Sequence, residues 1–145
     1  MNRTHVVEFF KSGRLGSYTA GTLIAAVWEE AGDPDATTGS LPAMHAYGDL
    51  QLGFSKHGVL WYLALEPSGS DLVLPGPRGA RETVQNFTRT EFVDGAEVGG
   101  EVTVRSESFV SGEYWWSISG SSVFVEFDEE GLMAVAQYAE RRLAN

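Results

Sequence analysis

Apolar and polar positions alternate most clearly in two stretches of the chain. In the first, Leu50, Leu52 and Phe54 interleave with Asp49, Gln51 and Gly53, the two-residue period of a strand with one buried face. Ser55-Lys-His-Gly58 interrupts the pattern as a turn. Val59 to Leu65 then runs without a polar break, which predicts a central strand covered on both sides. Near the C-terminus, Gly120 to Phe127 and Gly131-Leu-Met-Ala-Val repeat this order: a glycine, an alternating strand ending in Phe, three polar residues, a glycine, a second apolar strand. Phe54 to Gly58 and Phe127 to Gly131 have equal spacing, while Gly48 to Phe54 is one residue shorter than Gly120 to Phe127. The parallel predicts a strand over Leu132 to Tyr138, although Met, Ala, Gln, Glu and Arg in this segment favour helix by propensity. A helical turn is expected over Glu140 to Leu143.

The remaining elements follow in chain order. Thr4 is placed to cap a short helix over His5 to Lys11, ended by Gly13, with a strand as the alternative. A second helix starts at Thr19 or Thr22. It carries Leu23, Ile24, Val27 and Ala31 on one stripe, and Gly32 and Pro34 end it. Asp33 to Pro42 reads as loop, and Asp71 to Pro75 as a short edge strand. Gly76-Pro-Arg-Gly79 is the expected join of two halves, about 1–75 and 76–145, of a single domain. A short helix is expected over Ala80 to Phe87 and a helical turn capped by Thr90. Strands are expected at Glu101 to Arg105 (reaching Val110), Tyr114 to Ile118 and Val123 to Phe127.

Charge narrows the partners. The 145 residues hold twenty acids against ten bases, a net charge of −10, with lysine only at Lys11 and Lys56. Nucleic acid and anionic membrane surfaces are disfavoured, since a polyanion requires clustered cations. A basic protein partner suits such a surface, and so does solubility alone. Cysteine is absent, which excludes disulfides and thiolate metal sites. No apolar run could span a bilayer and the first residues show no signal-peptide pattern, so a cytoplasmic protein is the expectation.

No catalytic machine is spelled out. His5, His45 and His57 share no ligand spacing, and no nucleophile elbow, phosphate loop or dinucleotide fingerprint occurs. Asp33 and Asp35, Asp94, Glu97 and Glu101, and Asp128, Glu129 and Glu130 all sit where turns favour acids. The chain is therefore read as a non-enzyme with no cofactor. Tyr114, Trp115 and Trp116 are consecutive on a strand, so Trp115 faces away from its neighbours. One of the two faces is core, and the other is a candidate aromatic anchor.

Gly13-Arg-Leu-Gly16, Thr19-Ala-Gly-Thr22, Ala31-Gly-Asp-Pro34 and Tyr47-Gly-Asp-Leu-Gln-Leu-Gly-Phe54 with Gly58-Val-Leu form one phrase. It resembles small bacterial immunity-type proteins of polymorphic toxin systems, with Ala31 replacing a usual Leu. The helix-then-hairpin unit is also similar to the repeat of the β-lactamase inhibitor protein and of small outer-membrane assembly lipoproteins, although this chain has no lipidation Cys, which removes the lipoprotein variant. The resemblance covers residues 10–65 well and 100–138 faintly. It implies an α+β fold: a predominantly antiparallel sheet, helices packed on one face, and two related helix-hairpin halves. It implies an immunity protein that occludes the basic active site of a cognate toxin. The candidate contact residues are Glu113, Trp115, Asp128, Glu129 and Glu130, with Asp49 and Trp61 after them. The alternatives are a small-ligand-binding domain with an aromatic-lined pocket on the sheet, and a hydrolase with a carboxylate pair.

Overall fold

A computed structural model describes residues 1–107 and 114–145, with residues 103–107 described by backbone alone. The fold is α+β and its main sheet is antiparallel throughout. Ten strands are described. β1 (Ala36–Thr37), β2 (Ala43–Tyr47), β3 (Leu50–Phe54) and β4 (Leu60–Leu65) form one meander. β7 (Val102–Glu107), β8 (Tyr114–Ile118), β9 (Phe124–Phe127) and β10 (Met133–Ala139) form a second. The meanders join through β4 and β10, where Leu65 faces Ala136 and Leu63 faces Tyr138, giving the order β1-β2-β3-β4-β10-β9-β8-β7. Because β4 and β10 are antiparallel neighbours, the β3–β4 and β9–β10 turns stand at opposite ends of the sheet.

The alternation in sequence becomes a two-faced sheet. Leu50, Leu52, Phe54, Leu63, Leu65, Val125 and Ala136 are fully buried. Their alternates Gln51, Tyr62, Phe124 and Gln137 keep part of their surface in solvent. The expectation that Val59 to Leu65 is a central strand covered on both sides holds over Leu63 to Leu65, where Ala64 is as buried as its neighbours, and is corrected at Trp61 and Tyr62, which are half-buried. Three helices contribute to the buried side: α1 (Arg3–Ser12), α2 (Ile24–Ala31) and α3 (Arg89–Asp94). Val6, Phe9 and Phe10 of α1, Val27 and Ala31 of α2, and Phe92 of α3 belong to one hydrophobic cluster with the sheet leucines. Phe10 packs edge-on against Phe87 and Phe92, with ring centroids 5.0 and 5.2 Å apart.

Caps fall close to, but not on, the expected residues. Asn2 rather than Thr4 caps α1: its side chain accepts from the His5 amide, and His5 Nδ1 accepts from the Asn2 amide. Gly13 ends α1 at φ 78°, where a Cβ would stand 2.8 Å from the Tyr138 ring. Glycine is thus required there both for the turn and for the approach of β10. Leu23 is the N-cap of α2 and is 59% exposed, so the buried stripe shortens to Val27 and Ala31 with Ile24 at its margin. Thr88, not Thr90, caps α3, in a reciprocal box with Glu91.

The helix expected over Ala80 to Phe87 is a strand, β6 (Arg81–Gln85), paired with β5 (Asp71–Pro75) from Asp71↔Gln85 to Pro75↔Arg81. Thr83 and Val84 are β-branched, and β5 offers a ladder that an isolated amphipathic turn lacks. This hairpin spans the expected join at Gly76 to Gly79. The expected loop at Asp33 to Pro42 contains β1, and β2 follows it, so the β3–β4 hairpin is extended by two strands at its outer edge. The strand over Leu132 to Tyr138 forms as β10, and a 3-10 turn covers Arg141–Leu143. The expected extension of β7 through Val110 lies outside the described residues.

Candidate functional site

The two hairpins repeat one another bond for bond, at a constant offset of 73 positions (Phe54 and Phe127, Gly58 and Gly131). In the first, the Ser55 amide donates to the Val59 carbonyl, Gly58 donates back to the Ser55 carbonyl, and the amides of His57 and Val59 donate to Ser55 Oγ. In the second, Asp128 donates to Leu132, Gly131 to Asp128, and the amides of Glu130 and Leu132 to Asp128 Oδ1. Each turn also receives a helix start. The Ile24 amide of α2 donates to the Gly58 carbonyl, and the Arg89 amide of α3 donates to the Gly131 carbonyl, at 2.9 and 2.7 Å. Leu60 and Met133 donate to Thr22 and Phe87 in the same way. One extra residue bulges from the second strand of each hairpin, Trp61 in β4 and Ala134 in β10.

What differs is what lies over the hairpin. In the first unit His45 of β2 pairs with Leu52, is 3% exposed, and packs between Phe54 and Trp28 of α2. The Trp28 ring lies nearly parallel to the imidazole, 14° apart with centroids 6.1 Å distant. In the second unit Trp116 of β8 holds the matching position, paired with Val125 and 6.5 Å from Phe127. The α3 residue that corresponds to Trp28 is Val93, just as Phe92 corresponds to the buried Val27. Trp116 stays half-buried and a cleft of about 400 Å³ opens beside it.

Tyr114, Trp116 and Phe127 give this cleft aromatic walls; Glu126, Asp128 and Glu129 line it with carboxylates, and Arg89 with one guanidinium. Tyr114 is 43% exposed. The structure thus brings two expected contact residues, Asp128 and Glu129, together with aromatics. Glu130 is exposed in the same turn but does not line the cleft.

The other expected positions fall elsewhere. Trp115 is half-buried on the opposite sheet face, edge-on to Phe124 at 6.2 Å, so the cleft takes its two strand neighbours instead. Asp49 does not line the cleft, and its Oδ2 accepts from the Val73 amide at 2.6 Å. Trp61 lines a separate depression with Pro42, Met44 and Ala144 in the first unit. Glu113 lies outside the described residues. Tyr114 and Trp116 carry the parity of Ile118 and read as core in sequence. They stand instead at the strand end near the β9–β10 turn, Tyr114 exposed and Trp116 half-buried.

No protein-family model matches the chain, and no curated protein or solved structure shows significant similarity to it. Among the described residues, no helix is long and apolar enough to cross a membrane.

Proposed function

We propose that this chain is a cytoplasmic immunity-type protein that binds a cognate basic toxin and covers the toxin's active site. The carrying observation is the cleft at the β9–β10 turn, where Asp128 and Glu129 border the rings of Tyr114 and Trp116. Aromatic anchors flanked by charge supply both residence time and orientation in protein interfaces. The net charge of −10 would draw in a basic partner from a distance and weaken that attraction as salt rises. The hydrogen-bonded frame shared by the two hairpins supports reading the chain as a helix-then-hairpin repeat in which the second unit carries the contact.

The test is co-expression with the product of the neighbouring gene. The expected outcome is that this chain restores growth against a toxic neighbour, and that Glu129→Lys weakens the rescue while leaving the protein folded. A harmless neighbouring product, with no basic protein bound in low salt, would sink the proposal.

A further inference from the structure

The cleft can be assigned a more specific occupant, because the protein twice shows how it holds a planar cation. Arg3 lies with its guanidinium carbon 3.7 Å from the Phe87 ring centroid, while its nitrogens reach Glu91 and Glu97 at 3.0 and 3.1 Å. Arg81 lies 5.6 Å from the Tyr47 ring centroid and pairs with Asp35 at 2.6 Å. In both, an aromatic face supports the guanidinium and a carboxylate takes its edge, which is the arrangement that favours Arg over Lys.

The cleft offers the same parts with no described arginine pair of this kind inside it. Trp116 and Tyr114 supply rings, and among the described residues Asp128 and Glu129 supply exposed carboxylates beside the cation of Arg89. Its shape adds a second indication. In the first unit the corresponding space is filled by a flat ring, Trp28, laid nearly parallel to His45. In the second unit the corresponding helix residue is Val93, which supplies no such ring. A guanidinium meets both requirements: it is planar for the ring and charged for the carboxylates.

We propose that the cleft between α3, β8 and the β9–β10 turn is a socket for one arginine side chain of the partner protein, stacked on Trp116 and paired with Asp128 and Glu129. This deepens the inhibitor reading and rests on it for the identity of the partner, but the socket is testable without one. Gly-Arg-Gly, Gly-Lys-Gly and Gly-citrulline-Gly peptides are titrated into the full chain while the tryptophan indole N–H signals are followed by NMR. The Trp116 signal is identified from a Trp116→Phe variant.

The expected result is saturable movement of that signal with the arginine peptide, with binding at least ~tenfold weaker for citrulline, which keeps the shape and loses the charge. Lysine should fall between them. Glu129→Gln should weaken arginine binding by several-fold. Val93→Trp, which copies the first unit's lid into the second, should abolish it with the spectrum otherwise preserved. Equal response to arginine and citrulline, or arginine binding unchanged in Glu129→Gln, would overturn the socket. So would the absence of any Trp116 response. Growth rescue that persists without arginine binding would defeat the socket and leave the inhibitor reading standing. Arginine binding without rescue would do the reverse.

Discussion

The β3–β4 and β9–β10 hairpins are built on one backbone plan, and their chemistry diverges at a few side chains. Ser55 and Asp128 accept the same two amides, and Gly58 and Gly131 both turn the chain at positive φ, 74° and 82°. Yet Ser55 is buried and Asp128 is exposed. A Cβ on Gly58 would meet Ile24 Cγ2 at 3.1 Å and Leu41 Cδ1 at 3.4 Å, whereas one on Gly131 meets nothing within 4 Å. The first hairpin is roofed by α2, with Trp28 over His45. The second has a six-residue helix and a valine there, and it presents three acids where the first has Ser55, Lys56 and His57. Hydrogen bonding fixes the frame in both units, while the side chains set over it differ: Trp28 stacks on His45 in the first, and a cleft lined by Arg89, Tyr114 and Trp116 lies beside the second.

The comparison can be broken most directly at the phenylalanines that end β3 and β9. Phe54 is fully buried, and Phe54→Ala should cost about 3–5 kcal/mol, as large core truncations do. Phe127→Ala, at a half-buried wall of the cleft, should cost roughly half of that. Urea denaturation of the two variants measures both, and equal losses would mean that the second hairpin is as closed as the first.

Exchanging charge between the turns probes binding rather than stability. Glu129→Lys installs the residue found at the matching place in the first turn, Lys56. It should weaken association with a basic partner by ~tenfold or more, about 1.4 kcal/mol, with the midpoint of unfolding little changed. Lys56→Glu should leave association nearly unaltered. Titration calorimetry at two salt concentrations separates the cases, because loss of an exposed charge also flattens the salt dependence.

The two turn glycines should differ by less. Gly131→Ala carries only the strain of a left-handed residue, about 1–2 kcal/mol. Gly58→Ala adds a push against Ile24 and should cost more, a ranking that thermal unfolding reads directly. Replacing Asp128 by Ser should change stability by no more than ~1 kcal/mol, since a hydroxyl holds the same amides in the first turn.

The smallest effect is one of pH. His45 is buried with Nδ1 unpaired, and burial holds its pKa below the ordinary 6.5. The folded chain therefore resists protonation that the unfolded chain accepts. Stability should fall as pH drops below 6.5 toward the lowered folded value, and should be unaffected by this residue above that range. His45→Phe should remove that part of the pH slope between pH 7 and pH 5. Trp116→Phe, at the corresponding non-titrating position, should leave the slope as it is. Midpoints of urea unfolding across that range distinguish the two.

Much of the frame was legible in the chain itself. Alternation set the parity of β3 and β9, and the repeated Phe-x-x-x-Gly spacing predicted β10 against the helical propensity of its residues. Spacing succeeds there because a turn of fixed hydrogen bonding imposes its own count of residues, whatever side chains it carries. The same local reading misjudged Arg81 to Gln85, where pairing with β5 outweighs a weak helical pattern. It also misjudged which ring at Tyr114 to Trp116 stands beside the acids.

What the sequence determined by itself is the periodic and local part: strand parity, the two turns, the positive-φ glycines, the absence of cysteine and the acidic balance. Only the tertiary structure decided that Asp128 and Glu129 share a cleft with Tyr114 and Trp116, and that Asp49 is tied to Val73 instead. The reason is physical. A turn or a strand is fixed by neighbours a few residues away, whereas the cleft gathers side chains from Arg89 of α3, Tyr114 and Trp116 of β8 and the β9–β10 turn, which only packing brings together.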